Sequence, residues 1–229
     1  MNAISLLMNI ITPLSILALF LLTAAPNNAA LTPISPPDFP AGAVVLDFSG
    51  LIDGTEVNGL VFDGVPFQVT ENGSPTNGIV VIDGGPGITP HISPPNLVSI
   101  SDLDGVALGI SLPNLATKFG YGYALRSENT VPAATTINLF AGITPIGSIT
   151  FTGTPDPFFT GGFAGVASDT PFDRAVLTFS DIGEAFAVDN VTFASSVSEQ
   201  EATLILFSTG IFAILCLRAI HGASVAYRR

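Results

Sequence analysis

Residues 43–194 read as a single antiparallel β-sandwich, and three observations carry that expectation. Apolar, β-branched runs are separated by Gly, Pro, Asn and Asp roughly every ten residues. Several of those runs alternate bulky and small or polar residues with period two, as in Phe186–Phe193. No stretch of the body repeats its apolar residues at helical spacing.

Taken in order, residues 1–30 carry no charged side chain and are almost wholly apolar from Ile4 to Ala25. They read as a secretory signal that lacks a basic leader. Thr23-Ala24-Ala25 is one cleavage candidate, although Pro26 follows it. Cleavage near Ala29 or Ala30 is another, and a retained signal anchor is the alternative. Prolines 33, 36, 37 and 40 forbid helix and central strand, which makes 31–42 a linker or an edge segment. Strands are expected at 43–48, 60–62, 66–70, 79–82, 97–100, 106–112, 118–125, 135–140, 146–152, 162–167, 174–179 and 185–193. The segments 71–78, 83–96 and 152–160, rich in Ser, Gly, Pro and Asn, are expected to be surface loops.

Two of the strands are unusual. In Phe186–Phe193 the bulky positions 186, 188, 191 and 193 change parity at Asp189-Asn190, which predicts a bulge aiming the carboxylate out of register. In Lys118-Phe119-Gly120-Tyr121-Gly122-Tyr123 the aromatics share one face and the glycines the other. The glycine face is open to close approach by another backbone or a ligand.

Of 18 Asp and Glu against 6 Lys and Arg, only Lys118, Arg126 and Arg174 are basic residues of the body. That field excludes a nucleic-acid partner, whose phosphates need a basic footprint. It suits a solvated exterior and bound cations. Cys216 is the only cysteine and lies in the C-terminal apolar run, so the body has no disulfide and relies on a core built from 48% hydrophobic residues and 17 Phe.

Residues 195–229 read acidic, then apolar, then basic. Glu199 and Glu201 precede the uncharged run Ala202 to Leu217, and Arg218, Arg228 and Arg229 follow it. The run is short for a membrane span of ~20 residues, and snorkelling by Arg218 extends it. Leu204, Leu206, Ile211, Ile214 and Leu217 are the apolar anchor positions, with the arginines on the cytoplasmic side. A buried core helix is the alternative.

The order of acidic residues, Ala202-Thr203-Leu204, apolar run and basic end resembles the C-terminal sorting signal of bacterial PEP-CTERM proteins. Glu199-Gln200-Glu201 stands where that family has Pro-Glu-Pro. The resemblance implies export, a surface location and an exosortase-type transpeptidase as partner. The body resembles a β-sandwich domain recurring in exported PEP-CTERM proteins, with a jelly-roll form similar to carbohydrate-binding modules and MAM-type domains. The residues that carry it are Leu46-Asp47-Phe48, Asp53 to Gly59, Phe163 to Phe172 and Phe186 to Phe193.

In a jelly roll the first and last strands are neighbours, so the resemblance implies a structural calcium between Asp47, Glu56, Asp189 and Asn190, the alternative being solvated turn formers. It also implies binding of extracellular polysaccharide through Tyr121 and Tyr123 with loop polars such as Asn72, Asn77 and Asn96. Aromatic core packing is the alternative for the tyrosines. His91 lies in a proline-rich loop with no nucleophile elbow, and no glycine-rich loop precedes a helix. The expectation is therefore a non-catalytic binding or structural module tethered to the membrane. A glycan hydrolase with a hidden carboxylate pair, and an envelope spacer, are the alternatives.

Overall fold

The computed structural model describes residues 29–82, 90–99 and 105–195. They form twelve strands, all paired antiparallel: β1 (Leu31–Pro33), β2 (Val44–Leu46), β3 (Val61–Phe62), β4 (Val65–Glu71), β5 (Ser74–Pro75), β6 (Ile79–Ile82), β7 (Asn96–Ser99), β8 (Val106–Leu125), β9 (Val131–Ala141), β10 (Thr144–Pro155), β11 (Thr160–Phe179) and β12 (Phe186–Ala194). The signal and anchor segments, with Leu204, Arg218 and their neighbours, lie outside the described residues. Among the described residues no helix is long and apolar enough to cross a membrane.

Two pairs of expected strands fuse. Residues 106–112 and 118–125 are one strand, β8, and 162–167 and 174–179 are one strand, β11. Pro113-Asn114 reads as a stop in sequence, yet Pro113 sits exposed on a bend where no ladder donor is needed. Both strands bend together, and the register slips from Lys118–Ala167 through Ala116–Phe172 to Ser111–Arg174.

The bend makes two layers from one sheet. The 106–112 half of β8 and the 174–179 half of β11 lie with β4 and β5 on one side and β9 and β10 on the other. The 118–125 half of β8 lies between β12 and the 160–167 half of β11. Beyond β12 come β7 and β6, and beyond β11 comes β1. The pairing of β2 with β12, Leu46 opposite Val191, brings together the chain segments expected to be neighbours.

The layers close on one apolar core. Tyr121 of β8 hydrogen-bonds Thr135 of β9 across it, and its ring meets Phe179 edge-on at 6.4 Å. Phe179 in turn stacks on Phe186 at 3.8 Å. Phe48, after β2, meets Phe67 of β4 at 5.8 Å. Each fully buried phenyl ring contributes about 1.5–3 kcal/mol, which lets a chain without disulfides hold together.

The proline-rich stretch 31–42 is part of the body. Edge strand β1 pairs with β11, Leu31 opposite Ser168, and Ile34 N–H donates to Gly165 O at 2.9 Å. Pro33 is tolerated because β1 lies at the edge. The expected loop 71–78 contains the β4–β5 hairpin, closed by Asn72-Gly73 with both φ angles positive. Asn-Gly between two strands is the usual two-residue hairpin turn.

Candidate functional site

The bulge falls where the alternation of β12 breaks. Register between β8 and β12 shifts between Asp189 and Thr192, and Asn190 takes a left-handed φ of 51°, a conformation asparagine accepts better than most residues. Asp189 is fully buried. Its Oδ2 accepts from Ser93 N–H at 2.8 Å, Ser93 Oγ at 3.2 Å and Asn190 Nδ2 at 3.0 Å, while its Oδ1 accepts from Asn190 N–H at 2.6 Å. Asn190 Nδ2 also donates to His91 O at 3.1 Å. These bonds clasp the segment 90–95 onto the sheet.

The clasp also explains Gly122, which pairs with Asp189 in the ladder. A Cβ there would lie 2.1 Å from His91 O, so the open glycine face of β8 is filled by backbone. Burial pushes the Asp189 carboxyl above its ordinary value; the bonds from Ser93 and Asn190 oppose this, and the nearby Asp47 carboxylate adds to it.

Of the residues expected to share a cation, Asp47, Asp189 and Asn190 come together at the β2–β12 pairing. Glu56 is held elsewhere, accepting from Asn77 Nδ2 at 2.8 Å. Asp47 is exposed and accepts from Ser49 N–H at 3.0 Å. The Asp189 oxygens face four N–H and O–H donors, which take the lone pairs a cation would use. No group of three or more acidic, His or Cys side chains fit to hold a metal occurs among the described residues.

Tyr121 and Tyr123, expected at a ligand surface, are 0% and 1% exposed. They are core, and the correction has a simple cause. The face of β8 that carries them is turned to the opposite layer, and the outward face is the glycine one. Desolvation raises both phenols, that of Tyr123 to about 12.

A cavity lies at the end of the second layer where β8 stops and β11 and β12 start, the level of Thr160, Leu125 and Phe186. Segments 126–129, 156–159 and 181–185 meet there. Arg126 N–H donates to Ala185 O at 2.8 Å and Thr160 N–H to Ser127 O at 2.7 Å. The cavity measures about 210 Å³, and Val98, Ala124, Phe159, Phe186 and Ala187 are among the side chains lining it. Ile92, clasped in place through Ser93, packs with Ala124 and Ala187.

Two polar side chains also line this cavity, Asn96 and Arg126. Asn96 lies in β7 and not in a loop; it is fully buried, and neither its amide oxygen nor its nitrogen has a hydrogen-bond partner. Such a group costs roughly 1–3 kcal/mol while unpaired. Arg126 stands 4.0 Å from Glu184 with both side chains largely exposed, an ion pair worth about 0–1 kcal/mol and easily exchanged for a ligand. Phe158 and Ile182, 75% and 64% exposed, stand in the same loops. The sequence signal that could have located this site is the pair of aromatics Phe158-Phe159 in a proline-flanked turn.

No family model matches the chain, and no curated protein matches it. Among solved structures it is similar to the K2 cleaved adhesin domain of Lys-gingipain, with a TM-score of 0.44 and 11% identity over 69% of this chain and 100% of that one. It is similar to a mutant family 29 carbohydrate-binding module, CBM29-2, with a TM-score of 0.38 and 11% identity over 68% of this chain and 93% of that one. A third is the catalytic domain of a GH87 alpha-1,3-glucanase, with a TM-score of 0.33 and 13% identity over 63% of this chain and 29% of that one. At these scores the likenesses transfer neither topology nor ligand.

Proposed function

We propose that the chain is an exported, membrane-tethered, non-catalytic binding module that takes one sugar ring of an extracellular polysaccharide into the cavity at the loop end. The observation that carries this reading is the cavity's lining: an apolar pocket with Phe159 and Phe186 in its wall and the loosely paired Arg126 at its border. A pyranose presents a face of C–H bonds and a rim of hydroxyls. Apolar walls suit the first, and the exposed Arg126 guanidinium at the border suits the second. At about 210 Å³ the cavity falls below the ~300–1,000 Å³ of pockets that enclose a drug-sized ligand, so it fits a chain end or a side branch.

A hydrolase needs two carboxyl groups ~5–10 Å apart in its cleft. Among the described residues lining the cavity there is no carboxylate; Glu184 beside it faces Arg126 at 4.0 Å. The apolar run 202–217 with its basic end supplies the tether, and the segment 1–25 the export signal.

The test is a glycan array probed with the full-length chain in phosphatidylcholine nanodiscs, followed by titration of the captured glycan. Phe159→Ala removes one wall of the cavity and is expected to weaken binding about tenfold, the equivalent of ~1.4 kcal/mol. Absence of any glycan signal, or equal affinity in the variant, would contradict the reading.

A further inference from the structure

The two apolar terminal segments join the sandwich at the same end. Thr32, Ala167, Lys118 and Ala194 lie at one level across β1, β11, β8 and β12, so the chain enters at Ala29 and leaves at Ser195 on that side. Three strand spacings of ~4.8 Å put Thr32 and Ala194 about 14 Å apart.

That end also carries exposed apolar side chains, beside the polar Asp38, Asn114 and Asp169. Val44, Val45 and Leu115 are 44%, 52% and 57% exposed. Val44 lines a groove with Pro40, Phe193, Ala194 and Ser195, and Ser195 Oγ donates to Leu115 O at 2.5 Å, which ties the exit point to the exposed leucine. From Ser195 to Ala202, where the uncharged run begins, are seven residue steps, at most ~25 Å of extended chain.

We propose that this end of the sandwich rests on the bilayer that holds the 202–217 run, with Val44, Val45 and Leu115 immersed in the lipid interface. The inference rests on the reading of 202–217 as a membrane segment and adds a docking surface and an orientation to it. A short leash and a cluster of exposed apolar side chains at its attachment point, the collar, converge on a lipid surface as the occupant. The orientation has a consequence for the ligand site. β12 runs from Phe186 at the cavity to Ala194 at the collar, eight steps of ~3.3 Å, so the cavity stands about 26 Å above the collar and faces away from the membrane.

The test uses the full chain carrying Cys216→Ser, inserted in phosphatidylcholine vesicles, with single cysteines at Val44, Leu115, Phe158 and Ile182 bearing an environment-sensitive fluorophore. Co-flotation with the vesicles reports the anchor, and quenching by nitroxide-labelled lipid reports the collar. The expected result is quenching at 44 and 115, with 158 and 182 quenched only by aqueous iodide. Flotation with labels 44 and 115 exposed to iodide overturns the collar and leaves the anchor standing. Failure to float overturns both.

Discussion

Gly122→Ala probes the clasp that holds segment 90–95 over β8. The added methyl would lie 2.1 Å from His91 O and 2.8 Å from its carbonyl carbon, both backbone atoms, so no rotamer change relieves it. Either the strand or the segment must move. Overpacking costs ~1–3 kcal/mol. Movement of the segment also loosens the charge-assisted Ser93 to Asp189 bond and the Asn190 to His91 bond, for a total of roughly 3–6 kcal/mol. In a domain of this size that is a fall in Tm of roughly 6–24 °C. Gly109→Ala is the matched control, since its Cβ would meet Gln68 at an ordinary 3.5 Å in the same strand. It should change stability by less than ~1 kcal/mol. Thermal unfolding followed by near-ultraviolet circular dichroism suits the measurement, because Tyr121 and Tyr123 are buried core reporters and the chain has no Trp. Equal behaviour of the two variants would refute the close approach of segment 90–95 to β8.

The remaining predictions concern single groups. Asn96→Leu exchanges an unpaired buried amide for an apolar side chain of similar size. It should raise stability by about 1 kcal/mol in denaturant titration; a loss of stability would show that the amide is paired in the folded chain. Tyr121→Phe deletes the hydroxyl bonded to Thr135, whose Oγ1 keeps its bond to Thr178 O at 3.0 Å, and should cost about 1 kcal/mol. The Asp189 carboxyl has a folded pKa above 3.8, so the native state holds its proton where the unfolded chain has lost it. Its ionisation therefore costs stability as pH rises through the folded value, and the cost disappears as pH falls to 3.8. Asp38 behaves oppositely, because bonds from Ser35 N–H and Oγ lower it: its stabilisation is present above 3.8 and is lost as pH falls through its folded value. Carboxyl NMR titration should find Asp189 above 3.8 and Asp38 below it, and the reverse order would refute both assignments.

The β-class of the body was legible because period two survives in most strands, and the β12 bulge was legible because Asp189-Asn190 interrupts that period. The fused strands β8 and β11 were not, since a proline at an exposed bend looks in sequence like a proline that ends a strand. Tyr121 and Tyr123 share a face with Phe119, as read, but which face turns to the core depends on the opposite layer. The same holds for Asn96, an ordinary loop asparagine by its proline neighbours. Its register opposite Ile82 and its burial come from β6 and β12, far away in sequence. The cavity joins side chains from five segments between Ile82 and Ala187, so no local pattern announces it.

The most direct measurement is an amide NMR titration of the full-length chain in nanodiscs with the oligosaccharide captured on the array. The account predicts saturable shifts at Asn96, Ala124, Arg126, Phe159 and Ala187, with none at Val44 or Leu115. Shifts confined to another face, or none at saturating glycan, would contradict it.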